Sequence, residues 1–318
     1  MTAAVVRRWR DDGKLNLPLP GSGATARRWR GLAALAQDDL VAGRIAEAHL
    51  DAVAILDELG GKPPLPDELW GVWAAEAPSE VLTASGSDQK GDDEVVLDGV
   101  KPWCSGAGFC THALVTAQRP DGHRGLYAVA VEAPGATALP SRWRNPGMIE
   151  SDTRSVQFTA VRAVAVGDPG AYLSRPGFWH GAVGVAACWL GGARAVAAPL
   201  YQKARDEHAL AHLGAVDAAL AAAEALLESV AAQIDADPFD RAGNGEVLAR
   251  RARAVVEHAV DQVITRTGRA LGAGPLAMDG AHARNVVDLS IYVRQSHAEK
   301  DLAALGRLAG HRFSGPRR

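Results

Sequence analysis

Residues 99–105 read Gly-Val-Lys-Pro-Trp-Cys-Ser, a short run that makes three unlike demands. Gly99 follows the apolar run Val95-Val96-Leu97-Asp98 and supplies a turn. Lys101 and Pro102 then lead to an indole and a hydroxyl set two residues apart. On a strand, residues i and i+2 share a face, so Trp103 and Ser105 are expected to project side by side. A flat aromatic beside a hydroxyl suits a planar heteroaromatic ring, although a strand Trp is also commonly core packing.

Working outward, residues 70–175 have β character. Short apolar runs at Gly71–Ala75, Glu94–Leu97, His112–Ala117, Gly125–Val131, Ser155–Phe158 and Val161–Val166 alternate with turn residues such as Gly91-Asp92, Pro120-Asp121-Gly122 and Pro134-Gly135. Gly86-Ser87-Asp88 reads as a surface turn among acidic residues. Repeated strands without intervening helices predict an antiparallel sheet or barrel.

The flanks read as helical. Residues 1–69 contain a helix from Asp38 to Leu59, ended by Gly60-Gly61 and the prolines at 63, 64 and 66. Residues 176–318 hold four long segments, Phe178–Ala204, Glu207–Ile234, Gly243–Leu271 and Ala281–Leu308, which predict a four-helix bundle. The first is rich in Gly and Ala, so neighbouring backbones can approach it closely. The fold class is therefore α+β, with a helical block, a middle β domain and a C-terminal bundle.

Composition narrows the function. With 47% hydrophobic and 22% charged residues and a net charge of −3, the chain has no basic face for nucleic acid. The run Val183–Leu190, broken by Gly191, Gly192 and Arg194, predicts no membrane span. Arg7, Arg8 and Arg10 are not followed by the apolar segment of a secretory signal. Three cysteines without a C-x-x-C pair predict a reducing, cytoplasmic setting. Cys104 and Cys110 read as buried apolar residues.

Several stretches, in this order, carry a family resemblance. Gly71-Val72-Trp73-Ala74-Ala75-Glu76 looks like a first middle-domain strand, and Val96–Ser105 fits the flavin-contacting pattern G-x-K-x-W-(I/C)-(T/S). Gly147–Val164, with Ser151-Asp152-Thr153 and Val156-Gln157-Phe158, resembles G-x-x-G-S-D-T-x-x-(V/L)-x-F-x-x-V-x-V, with Glu150 in place of the second Gly. Gly268-Arg269-Ala270-Leu271-Gly272 and Arg284 with Asp288 resemble the end of the C-terminal bundle. Together they resemble the acyl-CoA dehydrogenase superfamily from about residue 38 to residue 308.

The resemblance implies bound FAD, with Trp103 covering the flavin ring and Ser105 bonding near its reactive edge. Negative charge on the reduced ring would be stabilised there by hydrogen-bond donors. The family's Arg-x-Phe-Gly motif is absent, and Arg205 is a candidate substitute that also reads as a solvated helix-end residue. Arg269 with Gly272 and Gly274 stands where the family presents a Gly-rich loop to a neighbour's cofactor, and equally reads as a helix cap followed by a Gly-Pro turn.

The catalytic base departs furthest. Many short-chain members carry a Glu eight residues after the counterpart of Asp288, and that position is Ser296 here. His297 is the first candidate, since a neutral imidazole takes or gives a proton near neutrality; Glu299 is a displaced alternative. On one continuous helix, Asp288, Tyr292 and Glu299 would share a face, as would Arg294, His297 and Asp301.

Three functions follow from the resemblance. The first is acyl-CoA dehydrogenation of a CH–CH bond, with an electron-transfer flavoprotein as acceptor. The second is a monooxygenase of the same fold fed by a reductase, which the missing Glu and His297 favour. The third is a non-catalytic partner subunit, since the N-terminal block that roofs the family's acyl pocket is short. A homo-oligomer (dimer or tetramer) or a hetero-oligomer is implied throughout. Trp143 and Trp179 are candidates for lining a pocket or filling an interface.

Overall fold

The computed structural model describes residues 1–86 and 94–313, with side chains up to residue 310. Three helices come first: α1 (Thr2–Asp11), α2 (Thr25–Asp38) and α3 (Leu40–Leu59). Seven strands follow: β1 (Trp70–Trp73), β2 (Leu82–Gly86), β3 (Glu94–Cys104), β4 (His112–Gln118), β5 (Arg124–Ala130), β6 (Ala136–Ala138) and β7 (Arg154–Ala165). Then come α4 (Ala171–Ser174), α5 (Gly177–Lys203), α6 (Glu207–Ala236), α7 (Gly245–Leu271), α8 (Ala273–Met278), α9 (Gly280–Tyr292) and α10 (Glu299–Phe313). Single 3-10 turns stand at Ile149–Ser151 and Val293–Gln295.

The chain forms two units. A β unit comprises Met1–Leu15, Ile45–Asn145 and Ile149–Phe178; a helical unit comprises Asn16–Arg44, Pro146–Met148 and the chain from Trp179 onward. This division differs from the three-block reading at its N-terminal end, because the first helices are shared between the units.

In the β unit, β2 pairs with β3, β3 with β7, β7 with β5, β5 with β4, and β4 returns to β2, so the strands close on themselves. The predicted antiparallel pattern needs one correction: β1 and β2 both pair with β4 in parallel. The runs at 155–158 and 161–166 are one long strand, β7, which carries Ala160 at φ 51 within it. Inside lie Trp73, Leu97, Val115, Tyr127, Phe158 and Val161, each essentially inaccessible. A second cluster packs Ile55 and Leu56 of α3 against Trp70, Leu114 and Leu126. Burying one such side chain contributes about 1.5–3 kcal/mol.

In the helical unit, α5 is buried nearly all round. Gly191 is required there: a Cβ would lie 2.1 Å from the Ala33 carbonyl oxygen of α2. By length and composition α5 and α6 are each apolar enough to cross a membrane, which corrects the reading from Val183–Leu190. The glycines interrupt the apolar run and leave the helix whole. The α5 window is 72% buried, as in the core helix of a globular unit.

The fourth predicted helix is not continuous. It breaks between Tyr292 and Glu299 into α9, a 3-10 turn and α10. Ser296 Oγ accepts the Ala298 N–H, and Asp301 Oδ2 accepts the His297 N–H, which together cap α10. Gly86 ends β2; Ser87 and Asp88, with which it was read as a turn, lie outside the described residues.

Candidate active site

The conformation of the 99–105 run is fixed by backbone crowding. Gly99 has φ 120, and a Cβ there would meet the Val81 carbonyl oxygen at 2.2 Å. The β3–β7 register shifts at Leu97/Gly99 and again at Lys101/Cys104. At the second shift Trp103 takes φ 58, left-handed for a bulky L residue. Such a conformation costs roughly 1–2 kcal/mol and persists only where neighbours impose it. Pro102 and Cys104 are buried on either side, and the Trp103 indole is 59% exposed.

The expectation that Trp103 and Ser105 share a strand face needs one correction: β3 ends at Cys104, so Ser105 stands beyond the strand. The bulge reverses the alternation between Lys101 and Cys104. Trp103 stands outward, edge-on to Trp143 with ring centroids 6.2 Å apart at 85°. Trp143 is the residue that sequence spacing does not join to this corner. Ser105, half-buried, shares a hydrogen bond of 3.0 Å with Thr153 Oγ1, which shares one of 2.8 Å with Ser151 Oγ.

Two motifs far apart in the chain thus meet. Gly106 and Ala107 N–H donate to the Ser151 and Asp152 carbonyls at 2.8 and 3.2 Å. Gly108 N–H donates to Asp152 Oδ2 at 2.9 Å, and Arg154 Nε donates to Asp152 Oδ1 at 2.6 Å. From the other side, Trp73 Nε1 donates to the Ser105 carbonyl at 3.0 Å.

Beneath this corner Lys101 is 3% exposed and donates from Nζ to the carbonyl and hydroxyl oxygens of Thr116, both at 2.8 Å. Burial pulls its pKa down to about 8, against the opposing pull of Glu76. The Cys104 thiol is pushed far above its ordinary range by burial, although Lys101 works against the shift. All three cysteines are buried and none is in a disulfide, as a packing role requires.

The other candidates belong to the helical unit. His297 stands in the link between α9 and α10, its side chain 71% exposed, with Nδ1 3.7 Å from Asp301 Oδ2. Arg250 donates to Asp301 Oδ1 at 2.9 Å and to Glu246 Oε1 at 2.7 Å, and lies 5.0 Å over the Trp179 ring. Burial would raise the Asp301 carboxyl, but the His297 N–H and the Arg250 guanidinium outweigh it and hold it below the usual value. His297 therefore has an oriented carboxylate beside it and an open ring.

Glu299 is exposed in the first turn of α10, separated by the break from buried Asp288 and Tyr292, so the shared face predicted for these three does not form. Asp288 Oδ1 accepts the Met148 N–H at 2.6 Å. Arg205 folds back on α5, donating to the Ala204 and Gln202 carbonyls at 2.7 Å each. Arg269 is exposed in the last turn of α7. Gly272, at φ 70, ends that helix with its N–H on the Gly268 carbonyl, and Gly274 lies in α8.

No family model matches the sequence, and no curated protein matches it. Solved structures match it closely in shape. The dibenzothiophene monooxygenase TdsC from Paenibacillus sp. A11-2, in complex with FMN and indole, superimposes with a TM-score of 0.77 at 18% identity, covering 96% of this chain and 94% of that one. KijD3, in complex with FMN and a dTDP-amino-keto sugar, gives 0.78 at 19%, covering 98% and 86%. The methanesulfinate monooxygenase MsuC from Pseudomonas fluorescens gives 0.77 at 20%, covering 95% and 88%. The chain therefore has the acyl-CoA dehydrogenase fold to which its ordered motifs point.

Proposed function

We propose that the chain is a flavin-dependent oxidoreductase of the monooxygenase kind, using reduced FMN delivered by a separate reductase. The observation that carries this reading is the Trp103 corner. An indole held outward on a strained backbone, with Trp143 edge-on and, two residues further along the chain, Ser105 at the head of three linked hydroxyls, fits the flat face and polar margin of an isoalloxazine. The shape shared with FMN complexes over nearly the whole chain supports the same reading.

When bound, reduced flavin supplies the electrons for oxygen activation, and that chemistry is the cofactor's own. The protein's residues would hold and orient it. Trp103 offers an apolar face. Ser105 lies on a hydroxyl chain whose bonds run in either direction, so it can donate or accept without breaking the chain. His297, with Asp301 beside Nδ1, holds or releases a proton at its exposed nitrogen.

FMN is preferred over FAD because two of the residues set aside for the ADP half, Arg205 and Gly272, are engaged elsewhere. The Arg205 guanidinium bonds backbone carbonyls, and the Gly272 N–H caps α7. Monooxygenation is preferred over acyl-CoA dehydrogenation because Ser296 occupies the base position as a helix cap, while Glu299 faces solvent.

Anaerobic addition of short- to long-chain acyl-CoA thioesters to the FMN-loaded protein is expected to leave the visible flavin band unchanged. Reduced FMN is expected to bind at least as tightly as oxidised FMN. Bleaching by any acyl-CoA would overturn the assignment in favour of dehydrogenation.

A further inference from the structure

After β6 the chain runs Leu139-Pro140-Ser141-Arg142-Trp143-Arg144-Asn145, and the root of this segment is fixed. β6 pairs with β7 at Ala138 and Val156, and the Leu139 N–H donates to the Ser155 carbonyl at 2.9 Å. At the same level β7 is also the partner of β3, with Lys101 opposite Val156 and Cys104 opposite Arg154. The bulge carrying Trp103 therefore meets Ser155 from one edge of β7, and the segment leaves from the other. Trp143 closes the gap, its ring centroid 6.2 Å from that of Trp103. Ser141 Oγ accepts the Trp143 N–H at 3.2 Å and fixes the backbone at that point.

A guanidinium stands on either side of Trp143 in the sequence, and the acids of this corner leave both largely unused. Glu80 accepts the Ser155 hydroxyl at 2.8 Å and lies 3.4 Å from Arg142 Nη1. Asp152 accepts from Gly108 and from Arg154 Nε. Arg142 is thus held through one nitrogen, with its side chain 83% exposed. Arg144 is exposed and, among the described residues, makes no hydrogen bond or ion pair. Residues 139–145 carry two positive charges and no negative one, in a chain whose net charge is −3.

The fold does not need these two charges, because an exposed Arg in a long or absent ion pair contributes little to stability. Their chemistry suits a ligand. A guanidinium is a planar fork of donors that matches phosphate or carboxylate oxygens. Two indoles beside it offer apolar surface to a flat ring.

We propose that Arg142 and Arg144 form a cationic rim to the Trp103–Trp143 corner and hold the anionic tail of a planar ligand seated there. That tail is the phosphate of FMN or an anionic group on an aromatic substrate. The inference rests on the reading of this corner as the seat of a planar ligand, and its test separates the two.

The test is calorimetric titration with two matched pairs, each differing by one phosphate: FMN with riboflavin, and 1-naphthyl phosphate with 1-naphthol. The parent should bind the phosphorylated member of at least one pair at least about fivefold more tightly. Preference within the flavin pair assigns the rim to the cofactor. Preference within the naphthyl pair, on FMN-loaded protein, assigns it to the substrate. In Arg142→Gln/Arg144→Gln the preference should vanish while affinity for the uncharged member is unchanged, and Arg142→Lys/Arg144→Lys should retain most of it. Should the double variant misfold, Arg144→Gln alone keeps the test decisive, since that side chain has no partner to lose; it should reduce the preference at least about twofold. No preference in the parent, a preference that survives these substitutions, or equal weakening of both members of a pair would overturn the proposal. If neither flavin binds the parent but 1-naphthyl phosphate is still preferred, the flavin assignment falls and the cationic rim stands.

Discussion

The end of β3 and the link between α9 and α10 both carry residues singled out by sequence and one left-handed non-glycine residue each, and they differ in what surrounds it. At the end of β3 the backbone is forced: Gly99 has no room for a Cβ, Trp103 is held left-handed, and residues 105–108 are laced to 151–153. At the α9–α10 link Ala298 is also left-handed, at φ 43, but the link is tied only by the caps from Ser296 and Asp301, and His297 and Glu299 are exposed. The difference teaches where function can be separated from stability. On the proposed reading, the strain that persists at the surface indole is a shape kept for a ligand, whereas an exposed capped His can be changed with little effect on folding.

The largest expected effect tests the forced side. Gly99→Ala sets a Cβ against the Val81 carbonyl at a φ that L residues rarely adopt, and should destabilise the protein by about 4 kcal/mol in chemical denaturation. A loss below about 1 kcal/mol would show that the bulge is soft and would weaken the contrast.

The β unit should also respond to acid. His49 is buried, accepts the Trp70 N–H at Nδ1, and has its pKa lowered to about 4, first by burial and then by Arg10. The unfolded chain takes up the proton near pH 6.5, before the folded one does. Its contribution is therefore complete above that pH and should decline by roughly 3 kcal/mol between about pH 6.5 and 4. His49→Gln should flatten that part of the stability–pH curve; an unchanged slope would place the acid sensitivity elsewhere.

Trp103 sharpens the comparison at a smaller scale. Trp103→Gly should be more stable than Trp103→Ala by about 1 kcal/mol, because glycine relieves the positive φ. Equal stabilities would mean that the backbone relaxes and that the indole is not held under strain. Smallest of all, His297→Ala should change stability by no more than about 0.5 kcal/mol, as befits an exposed side chain, while altering the pH dependence of turnover. A larger loss of stability would make the α9–α10 link as over-determined as the β3 end.

Much of the architecture is legible in the sequence because burial writes a period into it. The alternation through Val156 and Phe158 marks β7, and the recurrence of Val216, Leu220 and Ala223 marks α6. The local departures are harder to read. Nothing in Trp-Cys-Ser announces a left-handed Trp103, because the cause lies in the register between β3 and β7. Trp143 joins the corner only through tertiary packing. The break before α10 has a sequence signal, since Ser296 and Glu299 have the S-x-x-E spacing of a helix start. A reading that counts catalytic spacing along one helix passes over that signal.

The most direct measurement is a titration of the parent protein and of Trp103→Ala with oxidised and reduced FMN, followed by quenching of tryptophan fluorescence. Saturable quenching in the parent, with at least about tenfold weaker binding in a folded Trp103→Ala, is the predicted result. Equal affinity in both proteins, or no binding to the parent, would contradict the assignment of the exposed indole to a flavin.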